Sequence, residues 1–132
     1  MLDAIREGAR TFIIGNGGSY ANAIHLTNDI LLTGHPAFSL DPATLTAFAN
    51  DFGYDEVYSR WLPIVAEPGD LLIALSGSGK SPNIRAAVKK ALSLQMLVHL
   101  ETNYLVIHDM QESEELQLSL GHRLMKALRA KR

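Results

Sequence analysis

Short apolar runs alternate with longer segments of helical periodicity along this chain of 132 residues. The runs at residues 11–15 and 71–76 are almost continuously apolar, which is typical of strands buried on both faces of a sheet. Shorter apolar runs predict further strands at residues 37–40, 96–100 and 104–108. The remaining periodic segments predict helices at residues 19–33, 42–48, 55–65, 81–94 and 110–128.

This alternation predicts an α/β fold, a three-layer α/β/α sandwich around a mostly parallel sheet, in a single domain covering residues 1–132. Ser19, Asp41 and Ser81 are each suited to cap a helix, and proline follows the last two at the first helical position. A turn is expected at residues 50–51, because Asn and Asp favour turns.

One region does not fit a regular parallel sheet. Only residues 101–103 separate the last two predicted strands, whereas a parallel crossover needs about 10 residues or more. We therefore expect either an antiparallel edge or a shortened unit near residues 95–108.

Two turns rich in glycine and serine follow two of the predicted strands. Residues 15–19 read Gly-Asn-Gly-Gly-Ser, and residues 76–82 read Ser-Gly-Ser-Gly-Lys-Ser-Pro. Glycine lets backbone N–H groups face a ligand, and the helix that follows adds partial positive charge at its N-terminus. Because ligands of open α/β sheets bind at the carboxyl ends of the strands, the two turns predict one site for an anionic or polar ligand.

The second turn also resembles the end of a P-loop, but Ala74 stands where a P-loop begins with glycine. In the first turn, Tyr20 stands where a dinucleotide-binding fingerprint has its third glycine. A nucleotide-binding protein is therefore disfavoured. The hydroxyls of Ser76, Ser78 and Ser81 instead form a suitable nest for phosphate, although a plain loop with a capping serine is the alternative.

Composition narrows the function classes. A formal net charge of −2 gives no electrostatic reason to expect a nucleic-acid partner. The absence of cysteine excludes disulfides, thiolate catalysis and cysteine-bound metals. The start of the chain lacks a signal-peptide pattern, and no apolar run approaches about 18 residues. We therefore expect a cytoplasmic protein without a membrane partner.

Two pairs of residues offer candidate chemistry. His25 and Asp29 are four apart on a predicted helix, which suits a metal-ligand pair or an acid–base pair. A polar helix surface remains the alternative. Glu114 and His122 lie eight apart on the last predicted helix, about 12 Å of helical rise, so their spacing alone makes a poor site.

Taken together, these segments resemble the sugar isomerase (SIS) domain family, and within it most closely the sedoheptulose-7-phosphate isomerases. The matching stretches are GNGGSYANAIH, ANDFGYDEVYSRW, EPGDLLIALSGSGKSPN and, less strongly, EELQLSLGH. They cover most of residues 11–92 and the last predicted helix. The combination is specific for the superfamily and less specific for one substrate.

The resemblance implies a SIS-type, flavodoxin-like fold and gives roles to individual residues. The residues implied to contact the sugar are Asn16, Gly17, Gly18, Asn50, Asp51 and Glu114. Those implied to bind the phosphate are Ser76, Gly77, Ser78 and Ser81. Those implied to hold a metal ion, most simply zinc, are His25, Asp29, Glu114 and His122, with Asp29 and His122 also implied as the acid–base pair.

The chain departs from the family pattern at several positions. Asp29 stands where the family has Glu, Glu114 where it has Gln, and Gly77 where it often has Thr. The N-terminal helices that help build the family's tetramer are almost absent before Thr11. The leading hypothesis is an aldose–ketose isomerase of carbohydrate metabolism that acts on sedoheptulose 7-phosphate or a similar sugar phosphate, as a dimer or tetramer. The alternative is a SIS module that binds a sugar phosphate, or serves as a protein adaptor, without catalysis.

Overall fold

The computed structural model describes residues 1–102 and 109–130. Its strands are β1 (Thr11–Gly15), β2 (Ala37–Ser39), β3 (Leu71–Leu75) and β4 (Leu97–Glu101). Its helices are α1 (Leu2–Arg6), α2 (Gly18–Leu31), α3 (Pro42–Phe52), α4 (Val57–Val65), α5 (Pro82–Ser93) and α6 (Met110–Arg129), with a short 3₁₀ turn at Tyr54–Glu56 before α4.

The four strands form one sheet in the order β2-β1-β3-β4, and each neighbouring pair is parallel. Among the described strands there is thus no antiparallel edge. The predicted strand at residues 104–108 lies outside the described residues. Gly15 pairs with Leu75, and Leu75 pairs with Glu101. The carboxyl ends of β1, β3 and β4 are therefore level, and the turns that follow β1 and β3 leave the sheet at the same edge.

Helices cover both faces of the sheet, which confirms the three-layer α/β/α arrangement. On one face Phe12 and Leu72 pack against α4 and α5, in a core that also contains Tyr58, Trp61 and Ile84. On the other face, Ile13 and Ile73 of the strands share a second core with Ile5 of α1, Leu26 of α2 and Leu124 of α6. The central strands are buried on both faces, so their side chains are almost continuously apolar.

The helix boundaries differ from the predicted ones at several points. Asp41 caps α3 as predicted, because its carboxylate accepts the amide N–H of Thr44 at 2.9 Å. Gly17 rather than Ser19 occupies the N-cap of α2. Ser81 occupies the N-cap of α5, but its side chain makes no capping hydrogen bond. Helix α1 was not predicted at all.

Helix α3 continues through the turn that was predicted at residues 50–51. The extra helical turn places the Phe48 and Phe52 rings 5.8 Å apart in an edge-to-face contact. The guanidinium group of Arg60 lies over the Phe52 ring at 3.9 Å. These contacts outweigh the turn preference of Asn and Asp, because each adds packing that a turn would lose.

Within the described residues, no helix is both long enough and apolar enough to cross a lipid bilayer.

Candidate functional site

The turns after β1 and β3 line a single cavity of about 260 Å³. Gly17 and Gly18 of the first turn line it together with Ser76, Ser78 and Ser81 of the second. The helix α2 starts from the first turn and α5 from the second, so two helix N-termini lie beside the same cavity. The backbone amides there have no partner within their own helices, which favours an anionic or strongly polar ligand.

A reciprocal pair of amide side chains ties the two turns together. The amide nitrogen of Asn16 donates to Oδ1 of Asn83 at 2.8 Å, and the amide nitrogen of Asn83 donates to Oδ1 of Asn16 at 2.7 Å. The hydroxyl of Tyr54 donates to the same Asn16 oxygen at 2.7 Å. Asn83 is 1 % exposed, so this link lies inside the protein and holds the two turns in register.

Hydroxyl groups support the second turn from within. The amide N–H of Gly79 donates to Oγ of Ser76, and that of Lys80 donates to Oγ of Ser78, each at 3.1 Å. A serine oxygen that accepts a backbone bond keeps its own proton to donate outward. Ser76 and Ser78 can therefore each donate a hydrogen bond to a ligand oxygen. Lys80 is exposed and does not line the cavity.

Helix α6 closes the cavity by packing directly on two glycines. A methyl group at Gly18 would overlap with the carboxylate of Glu114. A methyl group at Gly77 would lie 2.8 Å from Oγ of Ser113 and 2.9 Å from the sulfur of Met110. Glycine at these two positions therefore lets α6 pack directly against both turns. This close approach puts Met110 and Glu114 in the cavity wall.

Two polar side chains join α2 to α6 beyond the cavity. The amide nitrogen of Asn22 donates to the backbone oxygen of Glu114 at 2.8 Å and to Oε1 of Gln117 at 3.2 Å. Gln117 is 2 % exposed. The contacts Gly18–Glu114, Asn22–Gln117 and His25–His122 follow one another in the same order on both helices, so α2 and α6 run parallel.

Farther along the same two helices, three potential ligands converge. Nε2 of His25 lies 3.1 Å from Nε2 of His122, and Oδ2 of Asp29 lies 3.3 Å and 3.8 Å from these two nitrogens. Asp29 is buried, whereas about half of each imidazole side chain is exposed. The three atoms therefore form a small polar cluster that is open to solvent through its two imidazoles.

The geometry of this cluster fits a metal ion. Ligand atoms on a tetrahedral zinc ion lie about 3.3 Å from one another, given bonds of about 2.0–2.1 Å. Oδ2 of Asp29 is buried and accepts no hydrogen bond, which is costly for a carboxylate oxygen that no cation neutralises. Two imidazoles and one carboxylate are a donor set that zinc accepts. Within the described residues, the group of side chains that could hold a metal ion consists of His25, Asp29 and His122.

The residues singled out from the sequence fall into three places. The cavity is lined by Asn16, Gly17, Gly18, Ser76, Gly77, Ser78, Ser81 and Glu114. The polar cluster contains His25, Asp29 and His122. Asn50 and Asp51 lie on the exposed end of α3, where they bond to each other at 3.1 Å, and they do not line the cavity.

Glu114 is not part of the three-residue cluster, although the resemblance implies it as a metal ligand. Its carboxylate lies at Gly18, near the N-terminal end of α2. Eight residues of α6 separate it from His122, which corresponds to about 12 Å of helical rise. The structure therefore brings Glu114 to the cavity and His122 to the cluster.

Sequence reasoning missed Asn83 and Tyr54 as supporting residues. The available signal for Asn83 was an asparagine inside the first turn of a predicted helix, directly after the serine-rich turn. Its Oδ1 also accepts the amide N–H of Ile84 at 3.0 Å, so it stabilises the start of α5 as well as the link to Asn16. No local pattern marks Tyr54, because its partner lies 38 residues away.

The chain resembles proteins of known family over most of its length. Residues 1–99 match the SIS domain family. The phosphoheptose isomerase of Pelobacter propionicus is 39% identical over an alignment of 99 residues that covers 69% of this chain and 52% of that protein. The phosphoheptose isomerase of Chlorobaculum parvum is 40% identical over an alignment of 104 residues that covers 71% of this chain and 50% of that protein. The chain thus spans about half the length of these curated relatives.

Solved structures give the same assignment. The phosphoheptose isomerase from Neisseria gonorrhoeae superposes with a TM-score of 0.86 at 27% identity, covering 98% of this chain and 81% of that one. The phosphoheptose isomerase from Francisella tularensis superposes with a TM-score of 0.86 at 26% identity, covering 97% of this chain and 79% of that one. By its sequence match and by its architecture, this chain belongs to the SIS domain family.

Proposed function

We propose that this chain is an aldose–ketose isomerase whose substrate is sedoheptulose 7-phosphate or a sugar phosphate of similar length. The relatives and solved neighbours named above are phosphoheptose isomerases, which supports this reaction class. One observation carries the proposal: α2 starts at the cavity and bears His25 and Asp29 two to three turns farther along. Seven residues of helix rise about 10 Å, so a ligand that contacts both places is an elongated one.

The serine-rich turn is the proposed phosphate site. Ser76, Ser78 and Ser81 offer hydroxyl donors at the N-terminal end of α5. Hydrogen bonds and the helix dipole together stabilise a phosphate group there. This binding lies away from the reacting carbons, so its energy orients the sugar chain toward the polar cluster.

Asp29 and His122 are the proposed acid–base pair. The isomerisation moves a proton between neighbouring carbons through an enediol(ate), and a second proton between their oxygens. Oδ2 of Asp29 accepts no hydrogen bond, so its lone pairs can accept a proton from a substrate carbon that reaches the cluster. Nε2 of His122, 3.8 Å away, can give or take a proton at the oxygens.

His25, Asp29 and His122 are also the residues that would hold a divalent ion. When bound, the ion would polarise the carbonyl and hydroxyl oxygens of the sugar. A lone pair that binds a metal cannot accept a proton, so at Oδ2 of Asp29 and Nε2 of His122 the two roles exclude each other. Activity measured with added zinc and with a chelator separates them.

The direct test is to incubate the chain with sedoheptulose 7-phosphate in D2O and to follow the heptose phosphates by NMR. Turnover through an enediol(ate) places deuterium on the carbon next to the carbonyl. Asp29→Ala is expected to abolish this exchange, whereas Asp55→Ala, which removes an exposed carboxylate, is expected to preserve it. Absence of turnover both with zinc and with chelator overturns the isomerase proposal.

A module that binds sugar phosphates without catalysis is the second candidate. The position of Glu114 favours it, because this carboxylate lines the cavity rather than joining the polar cluster. Calorimetry distinguishes the candidates: binding of the sugar phosphate without deuterium exchange supports the module, and exchange excludes it.

We also propose that the chain works as a homo-oligomer, a dimer or a tetramer, in the cytoplasm, where phosphorylated sugars are metabolised. The exposed apolar side chains on and after α2 support an oligomer, with Ile24 at 43%, Leu31 at 51% and Leu32 at 60% exposure. Sedimentation equilibrium tests it, and Leu31→Glu is expected to shift the protein toward the monomer. A wild-type chain that sediments as a monomer contradicts the proposal.

A further inference from the structure

The cavity holds one charged side chain, and that charge is negative. Among the described residues of its wall, Glu114 is the charged one, and no lysine, arginine or histidine lines it. The other polar groups come from Asn16, the serines and the backbone. An anion in this cavity is thus bound by neutral donors and helix dipoles, with the Glu114 carboxylate lying at Gly18.

The backbone that carries this carboxylate is held in place. The amide nitrogen of Asn22 donates to the backbone oxygen of Glu114 at 2.8 Å, and the side chain rests on Gly18, which has no Cβ to displace it. The carboxylate receives no hydrogen bond from the part of the chain that the structure describes. Its oxygens are therefore available to a ligand as hydrogen-bond acceptors.

An ionised carboxylate only accepts hydrogen bonds. A ligand with its phosphate at the serine-rich turn would place its other groups toward Gly18 and Glu114. Hydroxyl groups or an amine can donate to the carboxylate there. A second phosphate or a carboxylate group cannot donate and is repelled, more strongly in a partly enclosed cavity than in water.

We propose that Glu114 determines the substrate specificity of the cavity: it admits sugar monophosphates whose remaining groups are hydroxyls or amines, and it excludes sugar bisphosphates and phosphorylated sugar acids. The proposal rests on the function proposed above, because it assumes a phosphate at the serine-rich turn. It assigns Glu114 a role in selection that neither the metal cluster nor the acid–base pair requires.

The test compares two ligands that differ in one group. Sorbitol 6-phosphate and 6-phosphogluconate have the same carbon chain and the same phosphate, but one ends in a hydroxymethyl group and the other in a carboxylate. Calorimetry with the wild-type chain is expected to give at least about tenfold tighter binding of sorbitol 6-phosphate. Glu114→Gln keeps the shape of the side chain. In this variant the ratio of the two affinities, sorbitol 6-phosphate over 6-phosphogluconate, is expected to fall to about threefold or less.

Glu115→Gln is the matched control. It removes the same charge from the neighbouring, exposed position of α6, and it is expected to leave the ratio unchanged. A second measurement needs no variant: the wild-type ratio should shrink as the Debye length falls from about 30 Å at 0.01 M salt to about 3 Å at 1 M.

Each remaining outcome counts against the proposal. Equal affinities in the wild type, or a ratio that Glu114→Gln does not change, overturn the role of Glu114 while leaving the proposed function intact. An equal effect of Glu115→Gln replaces the local role by a general charge effect and overturns it too. If no sugar phosphate binds to any variant, the proposed function fails, and this inference fails with it.

Discussion

Nε2 of His25 lies 3.1 Å from Nε2 of His122, although 97 residues separate them in the chain. The two residues meet because α2 and α6 pack side by side, and Gly121 allows the close approach. A methyl group at Gly121 would lie 3.0 Å from Cδ1 of Leu26. The contact therefore depends on a residue that carries no chemistry of its own.

Replacing one imidazole should remove most of the zinc affinity. His25→Ala leaves only Asp29 and His122 as ligands, so zinc affinity measured by calorimetry is expected to fall by at least about 100-fold. His99→Ala is the control, because His99 pairs with Glu101 at 3.0 Å and does not belong to the cluster. Equal zinc affinity in His25→Ala and the wild type would show that the cluster is not a metal site.

The amide pair between the two turns should appear as energetic coupling. Asn16→Ala and Asn83→Ala each leave a partner amide unpaired, so each is expected to lower the free energy of unfolding by about 1–3 kcal/mol. The double variant should lose less than the sum, because both changes remove the same two hydrogen bonds. Urea unfolding measures all three, and Asn28→Ala, at an exposed position of α2, is the control. If the loss in the double variant equalled the sum of the two single losses, it would contradict an interaction between Asn16 and Asn83.

Two glycines of the first turn should differ in their tolerance of alanine. A methyl group at Gly15 would lie 2.5 Å from the backbone oxygen of Ser19, so only a movement of α2 relieves the overlap. Gly15→Ala is therefore expected to lower the free energy of unfolding by about 3 kcal/mol.

The methyl group of Gly18→Ala would contact only the end of the Glu114 side chain. Because that side chain can rotate away, the loss in free energy of unfolding should be smaller than for Gly15→Ala. Combining it with Glu114→Ala is expected to remove that loss. Thermal unfolding of the three variants measures the difference. An equal loss of stability in Gly15→Ala and Gly18→Ala would contradict this prediction.

The cap of α3 should make stability depend on pH. The amide N–H of Thr44 donates to Asp41 and holds the pKa of that carboxyl below its usual value of 3.8. A lowered pKa in the folded state stabilises the protein above the unfolded value, and this stabilisation is lost as the pH falls through the folded value. Asp41→Ala is thus expected to melt at a lower temperature than the wild type at neutral pH, with the difference shrinking below pH 3.8.

Asp41→Asn is the matched control for this cap. Asparagine keeps an oxygen that can accept the Thr44 bond but does not titrate. The gap in melting temperature between Asp41→Asn and Asp41→Ala should therefore stay the same from neutral pH to pH 3. A constant gap between the wild type and Asp41→Ala from neutral pH to pH 3 would contradict the role of the charge.

The sequence predicted the parts of the fold that depend on local pattern. β1 and β3 stand out because both faces are buried, and the turns after them stand out because glycine and serine follow an apolar run. Their meeting at one cavity follows from the level ends of parallel strands. The place of Glu114 could not be predicted, since it depends on how α6 packs against Gly18 and Gly77.

Helix ends were harder to predict for the same reason. Asn50 favours a turn locally, but the Phe48–Phe52 contact extends α3 past it. The link between Asn16 and Asn83 spans 67 residues, and no periodicity encodes it. Features of this kind arise from tertiary packing, which local propensity does not contain.

The Asn16–Asn83 link also bears on the kinetics of recognition. Its two hydrogen bonds exist in the free protein, so the walls of the cavity are set before a ligand arrives. Little conformational entropy is then lost on association. We expect encounter rates to be similar across related ligands, with the lifetime of each complex deciding which of them the protein retains.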